Sequence, residues 1–271
     1  MQRVIYIASL DHSGSTMLAK MLGGHSEIIS VGEVLQTFKL YKNETRVFEQ
    51  RLCTCGHIGN VCPLWSEIIQ QWDKNQVKTY KQAYMLVLQV FKQLFPNKII
   101  LDCSKYAPGL NRILNYDGVE VQVIHLFKDV RTFLISRIAR AVKLNIKTNF
   151  VKNIRYFKVW FRINQNMDLL IQQNELKSFD VGYEELCFDT YRIMNKLTSF
   201  FDLEFEEQIT QAAGSDKHHQ LIGNNMRIKK EKEIVSYDAR WMSRKEWIIP
   251  SLIFPKIMKY NSIKVYSNLN Q

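Results

Sequence analysis

Residues 4–22 of this chain read VIYIASLDHSGSTMLAKML: an apolar run typical of a buried strand, a short polar loop, and the start of a helix at Thr16. The first N–H groups of a helix lack partners within it, and they carry the positive end of the helix dipole. With the hydroxyls of Ser13, Ser15 and Thr16, they predict a cradle for a phosphate group, which Gly14 lets approach the backbone closely. An ordinary strand-to-helix turn capped by a serine is the alternative.

Length and composition limit the classes of protein. The chain has 271 residues, enough to bury a large core, and its 37 Lys+Arg against 26 Asp+Glu give a net charge of +11 that favours an anionic ligand or an acidic partner. No apolar run approaches the roughly 18 residues of a membrane span. The first strand starts close to Met1, and the five cysteines form no even framework. We therefore expect a cytoplasmic protein without a signal peptide or a membrane anchor.

Four apolar runs alternate with longer helical patterns. The runs are residues 4–9, 98–103, 121–127 and 179–183, and apolar residues recur at three- and four-residue spacing between them. Strands that alternate with helices predict an α/β fold with a central parallel sheet flanked by helices. No stretch has the composition of a linker, so we expect one domain over residues 1–271, with a P-loop-like phosphate-binding loop after the first strand.

Polar side chains follow the predicted strands, where the ligands of an open parallel sheet bind. Residues 102–105 read DCSK and residues 128–131 read KDVR, with Ser136 and Arg140 further along. Because Ser136 and Arg140 are four residues apart, they share a helix face. With the cations of KDVR, they are candidates to hold a second phosphate. Each cation taken alone could equally be a solvated helix-end charge.

The first loop lacks the signature of a nucleoside-triphosphate site. A Walker loop reads G-x-x-x-x-G-K-[ST], in which the lysine reaches the transferred phosphates and the hydroxyl binds magnesium. No lysine precedes Ser15 or Thr16 here. We therefore expect a nucleotide whose transferred group needs no magnesium, and a sulfuryl group fits that description.

Together these stretches resemble the PAPS-dependent sulfotransferases, whose first-strand loop [KR]-S-G-[ST]-[ST] binds the 5′-phosphosulfate end of 3′-phosphoadenosine 5′-phosphosulfate (PAPS). Residues 12–16, HSGST, match that loop, and residues 32–33 are similar to the GE of the tyrosylprotein and bacterial branches. Residues 128–131, with Ser136 beyond them, resemble the family element R-D-x-R-x-x-x-x-S, whose first Arg and Ser hold the 3′-phosphate. Residues 183–186, YEEL, look like the YExL after a late strand.

The resemblance implies a role for each matching residue. Glu33 is the expected general base, although a structural glutamate that binds backbone amides is the alternative. Lys105 would stabilise the sulfuryl oxygens, and Arg227 would contact the nucleotide from a late basic loop, unless that loop is a mobile surface segment. The expected nucleotide-binding set is His12, Ser13, Gly14, Ser15, Thr16, Met17, Lys128, Ser136, Arg140, Tyr183 and Arg227.

Two positions depart from the family pattern. His12 stands where relatives carry a loop Lys or Arg with a catalytic role, and Lys128 stands where they carry an Arg. A histidine donates there if it is protonated or has the right tautomer, so activity is expected to fall as pH rises through the His12 pKa. Lys128 would bind phosphate as a point charge without the bidentate fork of arginine.

Three cysteines lie close together near residue 57. Residues 53–57 read CTCGH, and Cys62 follows. Three cysteines and His57 could make a Cys₃His zinc set, but the spacing C-x-C-x-H is cramped for a tetrahedral site. A disulfide from Cys62 to Cys53 or Cys55 is favoured over zinc binding. Free, packed thiols are the third alternative.

We therefore expect an enzyme that moves a sulfuryl group from PAPS to a hydroxyl or amine of a small-molecule acceptor, such as a secondary metabolite. The product would be 3′,5′-ADP, and no metal, nucleic acid or membrane would take part. A kinase-like phosphotransferase is the first alternative, disfavoured by the missing loop lysine. The second is a non-catalytic binder of nucleotide or polyanion that uses the charge of +11.

Overall fold

A five-stranded sheet with strand order β2-β3-β1-β4-β5 forms the centre of the computed structural model, which describes residues 1–114, 116–213, 215–229 and 235–269. Helices flank the sheet, so the predicted α/β class is confirmed. In the described part of the chain, no helix is both long enough and apolar enough to span a bilayer. The strands are β1 Gln2–Ser9, β2 Ile28–Gly32, β3 Ile99–Lys105, β4 Val119–Phe127 and β5 Ser178–Gly182.

The helices lie both between the strands and after the last strand. They are α1 Ser15–Gly23, α2 Val34–Asn43, α3 Thr45–Gln50, α4 Pro63–Lys74, α5 Tyr80–Leu94, α6 Ala107–Ile113, α7 Val130–Lys143, α8 Phe150–Gln173, α9 Tyr183–Phe188, α10 Thr190–Phe200, α11 Ile248–Ile253 and α12 Pro255–Val265. Short 3₁₀ turns cover Glu207–Thr210, Asn225–Ile228 and Ala239–Ser243.

Two strands differ from the sequence prediction. Strand β2, IISVG, was missed, because five residues that are all buried show neither an alternating pattern nor a long apolar run. Strand β3 continues through Lys105, so the residues expected just after it are its last members. Helix α1 begins at Ser15, one residue before the expected Thr16.

The chain divides into two compact units. The first comprises Met1–Ala8, Ser15–Val123 and Glu206–Ile234, and the second comprises Ser9–Gly14, Ile124–Phe205 and Val235–Gln271. That residues 1–271 make one functional domain stays a prediction.

In the first unit, the pairing of β3 with its parallel neighbours fixes where the strands end. Val4 of β1 and Ile29 of β2 both pair with Ile100. The register then shifts, so that Gly32 at the end of β2 pairs with Asp102. Because the carboxyl ends of β2 and β3 lie side by side, the residues that follow Gly32 are brought to the end of β3.

The second unit is organised around a fully buried carboxylate at the start of α7. Asp129 caps the helix by accepting from the Arg131 N–H at 2.8 Å, and the Arg131 guanidinium donates to both of its oxygens, at 2.9 and 2.6 Å. Asn261 Nδ2 and the Tyr266 hydroxyl donate to Oδ2 at 3.0 and 3.1 Å. Burial alone would raise the pKa of Asp129, but the Arg131 hydrogen bonds and charge lower it. Asp129 is therefore ionised in the folded chain.

The substitution Asp129→Asn is expected to lower the free energy of unfolding at pH 7 by about 3–5 kcal/mol, because it leaves the buried side of Arg131 without its anion. The pKa of Asp129 is below the usual 3.8 only in the folded chain. The ionised Asp129 therefore stabilises the folded chain at pH values above its pKa in the unfolded chain. This stabilisation is lost as the pH falls through its pKa in the folded chain. Urea unfolding at pH 7 and at about pH 3 should show a smaller acid-induced loss in the variant than in the wild type.

Asp202→Asn is the matched control within the same unit. Asp202 pairs with Lys177 at 3.0 Å, but its side chain is 77 % exposed. Exposed pairs contribute at most about 1 kcal/mol, so this variant should unfold almost as the wild type does. Equal losses in the two variants would contradict the role given to Asp129.

Candidate active site

The loop after β1 contains two residues with left-handed backbone conformation. His12 has φ 68° and Gly14 has φ 91°, and the Ser13 N–H donates to the Leu10 carbonyl at 3.3 Å. A positive φ is strained for a residue with a side chain, and such strain tends to occur at functional sites. The loop is thus a site candidate on its geometry as well as on its sequence.

Ser13 and Gly14 have the features that a bound anion requires. Ser13 is 1 % exposed, and its Oγ has no hydrogen-bond partner among the described residues. An unsatisfied buried hydroxyl costs about 1–3 kcal/mol, which a ligand oxygen would offset. A Cβ built on Gly14 would lie 2.6 Å from Cδ2 of Tyr183, so a larger residue does not fit. The Tyr183 ring thus explains why Gly14 carries no side chain, and the unpartnered Ser13 hydroxyl agrees with the phosphate cradle predicted for this loop.

Helix α1 begins directly after the loop. Ser15, Thr16 and Met17 form its first turn, in which Ser15 and Met17 are buried and Thr16 is half-buried. This fully described first turn contains no acidic residue. Its helix dipole therefore meets no opposing charge on the same turn, which suits an anion at this end.

His12 interacts with Arg140, whose NH1 atom lies 3.1 Å from Nε2 of the imidazole. A guanidinium only donates, so Nε2 accepts, and the neutral ring carries its proton on Nδ1. Burial of the ring, followed by the charge of Arg140, lowers the pKa of His12 below 6.5. At pH 7 the fixed positive charge beside the loop is therefore that of Arg140. The pH dependence expected from protonation of His12 therefore lies on the acid side of 6.5, and at pH 7 the neutral ring still offers its Nδ1–H as a donor.

Lys128, directly after β4, is the centre of a second group. It is 5 % exposed, and its Nζ lies 4.6 Å from the centre of the Tyr183 ring and 3.2 Å from Asp238 Oδ2. The Tyr183 hydroxyl donates to the Ser236 carbonyl at 2.8 Å. Because the same ring contacts Gly14, the structure joins Lys128, Tyr183 and the loop in one continuous group.

Helix α7 carries the remaining candidates of the second unit. Ser136 and Arg140 lie on one face of this helix, as their spacing predicted, and Ser136 is buried. Arg131 is used differently from the prediction. It is bound to Asp129, and its guanidinium carbon lies 4.0 Å from the Trp241 ring centre. Arg131 therefore stabilises the fold and is not a free cation for a second phosphate.

Glu33 and Lys105 form a buried ion pair in the first unit. Lys105 Nζ donates to Glu33 Oε1 at 2.5 Å, and each side chain is 11 % exposed. Glu33 is the N-cap of α2, but among the described residues its side chain makes no capping hydrogen bond to this helix and pairs with Lys105. Lys105 has φ 69° at the end of β3. The pair is a candidate for a proton acceptor and the cation that positions it.

Arg227 is buried, contrary to the alternative of a mobile surface charge. It is 4 % exposed in the turn Asn225–Ile228, where its Nε donates to the Gln220 carbonyl at 3.3 Å and its NH2 donates to the Leu52 carbonyl at 3.0 Å. The NH1 atom has no hydrogen-bond partner among the described residues. This donor suits contact with an anion.

Sequence reasoning missed two partners of the conspicuous residues. Asp238, the carboxylate next to Lys128, is 110 residues further along the chain. His219, and not the exposed His57, lies beside Cys62. All the cysteines are free, so the favoured loop disulfide is not formed. Asp238 and His219 lie 110 and 157 residues from Lys128 and Cys62, so no local sequence motif could have revealed either partner.

Comparison with known proteins identifies the fold. No family model and no curated protein matches the chain. The sulfotransferase domain from the curacin biosynthetic pathway is 16% identical, with a TM-score of 0.61 over 95% of this chain and 98% of that one. The sulfotransferase domain from the Synechococcus PCC 7002 olefin synthase is 16% identical, with a TM-score of 0.56 over 94% of each chain. Sulfotransferase STF1 from Mycobacterium tuberculosis H37Rv is 15% identical, with a TM-score of 0.50 over 78% and 70%.

The chain therefore has the fold of the sulfotransferases, and the resemblance seen in its sequence is confirmed at the level of the fold.

The pKa of His12 is expected to rise in Arg140→Gln, because the variant removes a cation that opposes protonation of the ring. Histidine NMR titration checks this, with His12→Gln used to assign the resonance. Lys143→Gln removes an exposed charge from the same helix and should leave the His12 pKa unchanged. An unaltered pKa in Arg140→Gln would show that the two side chains do not interact in solution.

Proposed function

We propose that this protein is a PAPS-dependent sulfotransferase that acts on a hydroxyl or amine of a small molecule. The observation that carries the proposal is the buried, unpartnered Ser13 hydroxyl beside Gly14, in a loop that matches the phosphosulfate loop of the family. The sulfotransferase fold supports the same conclusion.

The nucleotide would be held by two groups of residues. The 5′-phosphosulfate would bind the backbone and hydroxyls of the loop and first turn, with His12 donating from Nδ1 and Arg140 supplying charge behind it. The 3′-phosphate would bind Lys128 and Ser136, with the Tyr183 ring holding the ammonium in place. Arg227 would add a donor through NH1. These assignments rest on the family resemblance and on the unpartnered donors.

PAPS would supply the sulfuryl group and leave as 3′,5′-ADP. Glu33 would take the proton of the acceptor as the acceptor oxygen or nitrogen bonds to sulfur and the bond from sulfur to the 5′-phosphate oxygen breaks. Lys105 holds the Glu33 carboxylate at 2.5 Å and would also stabilise charge on the sulfuryl oxygens. His12, backed by Arg140, would stabilise charge on the departing phosphate. No step in this scheme uses a metal ion.

A small-molecule acceptor is favoured by the nature of the similar folds. Two of the neighbouring structures are, by their names, domains from the curacin biosynthetic pathway and from an olefin synthase. Both names point to the synthesis of small molecules. We extend this to the present chain and propose a metabolite, with no nucleic acid or membrane as partner.

Calorimetry with 3′,5′-ADP and with ATP plus magnesium separates the three candidate functions. A sulfotransferase should bind 3′,5′-ADP saturably and ATP weakly or not at all. Tight binding of ATP with none of 3′,5′-ADP would overturn the proposal in favour of a phosphotransferase. Salt-dependent binding of any polyanion, without saturation by 3′,5′-ADP, would instead favour a non-catalytic binder.

Glu33→Gln is expected to lower sulfuryl transfer by at least about 100-fold while 3′,5′-ADP binding stays nearly intact. The glutamine keeps an oxygen that accepts from Lys105 but no longer takes up a proton. Radiolabelled PAPS with a panel of phenol, alcohol and amine acceptors measures the transfer, and calorimetry measures binding. Glu27→Gln, an exposed position just before β2, is the matched control and should retain full activity. Parallel loss of binding and turnover would remove Glu33 from the role of base.

A further inference from the structure

Three cysteines and one histidine of the first unit converge at a point that the proposed reaction does not use. Cys62 Sγ lies 3.6 Å from the Sγ atoms of both Cys53 and Cys55, and 3.2 Å from Nδ1 of His219. All four ligand atoms lie within 4.8 Å of one another. We call these four residues the cysteine–histidine cluster.

The backbone around the cluster brings together three separate segments. Cys53 and Cys55 lie in a tight loop that is closed by an antiparallel bridge from Leu52 to Ile58 and by a hydrogen bond from the Cys53 N–H to the His57 carbonyl at 2.8 Å. Gly56, with φ 86°, makes the turn. Cys62 is the N-cap of α4, and His219 comes from the late segment of the chain.

His219 is held in position by groups that are not ligands. Trp65 Nε1 donates to its carbonyl at 2.6 Å, and the Phe95 ring centre lies 5.3 Å from its imidazole. The Thr54 hydroxyl donates to the His218 carbonyl at 2.8 Å and accepts from the Gln220 N–H at 3.0 Å. These bonds join the residues on both sides of His219 to the residue between the two loop cysteines. They fix the backbone around His219 and so restrict where its imidazole lies.

The three distances from Cys62 Sγ fit the edges of a tetrahedral zinc site and not a disulfide. With zinc–sulfur bonds of about 2.3 Å, two sulfur ligands lie about 3.8 Å apart, and a sulfur and a nitrogen lie about 3.6 Å apart. The observed 3.6, 3.6 and 3.2 Å are close to these edges. A disulfide requires about 2.05 Å between the sulfur atoms. The cluster thus has the size of a closed four-ligand site.

The surroundings also suit the charge of such a site. Three thiolates and a neutral imidazole around a divalent ion leave one negative charge. Arg227 NH2 donates to the carbonyl of Leu52, the residue before Cys53, and Arg51 Nε donates to the Leu221 carbonyl at 2.8 Å. Two guanidinium groups are therefore next to the cluster, where they offset the excess negative charge.

We propose that Cys53, Cys55, Cys62 and His219 bind a structural zinc ion. Soft thiolates with one imidazole in tetrahedral geometry select zinc, and four protein ligands leave no open position for catalysis. The zinc would tie the tight loop and the start of α4 to the segment that leads to Arg227. None of the four ligands is assigned to nucleotide binding or sulfuryl transfer, so either proposal can fail without the other.

Elemental analysis of untagged protein, purified without chelator, should give about one zinc per chain. X-ray absorption at the zinc edge should show three sulfur atoms at about 2.3 Å and one nitrogen at about 2.0–2.1 Å. This measurement uses the wild-type chain and holds even where variants fail to fold. A zinc-free protein with all five cysteines reactive, or with two fewer because a disulfide has formed, would overturn the proposal.

Matched variants test which residues are the ligands. Cys53→Ser, Cys62→Ser and His219→Ala should each lose most of the zinc. Cys187→Ser, in the second unit, and His57→Gln, at an exposed position beside the cluster, should keep it. Zinc that is retained in His219→Ala but lost in His57→Gln would contradict the assigned ligand set. 3′,5′-ADP calorimetry on the same variants reports on the nucleotide site separately.

Discussion

A carboxylate with no exposed surface, Asp129, is the point on which the second unit depends. Its side chain binds Arg131 and residues at the C-terminal end of the chain, and its N–H donates to the Glu184 carboxylate at 3.1 and 3.2 Å. The end of β4 and the starts of α7 and α9 are therefore held by two acids. Lys128 and Tyr183, the immediate neighbours of those acids, derive their positions from them. The residues that would touch the nucleotide are thus placed by residues that would not.

Local patterns in the sequence were enough to predict the strand, loop and helix of residues 4–22 and the α/β class. They were not enough for β2, whose five buried residues carry no periodic signal. They also placed Lys105 after its strand, because the polar letters of DCSK gave no sign that β3 continues through them. A periodic pattern of apolar and polar residues appears where one face of a strand is exposed to solvent. Every residue of β2 and β3 is buried, so neither strand shows such a pattern.

Partners that lie far apart in the sequence were beyond prediction in principle. His57 is two residues from Cys55, yet the chain folds so that His219, 157 residues after Cys62, takes the place beside the thiols. Likewise, Arg140 lies next to His12 across 128 residues. The sequence singled out Cys62 and His12. Only the tertiary fold shows that His219 lies beside the first and Arg140 beside the second. The roles of these residues in binding and transfer are predictions that rest on the resemblance.

The pairing of Lys128 with Asp238 would make the proposed 3′-phosphate site sensitive to the charge of its ligand. The lysine is buried and already has a counter-ion, so an anion that binds Lys128 would have to replace the Asp238 carboxylate. A monoanion gains little from that exchange, whereas a doubly charged phosphate has a stronger attraction to the same ammonium. The displaced Asp238 keeps a partner in Arg240, at 2.7 Å, so its release leaves no charge unpaired. If Lys128 binds the 3′-phosphate as proposed, this pairing would favour a doubly charged ligand over a monoanion of similar shape.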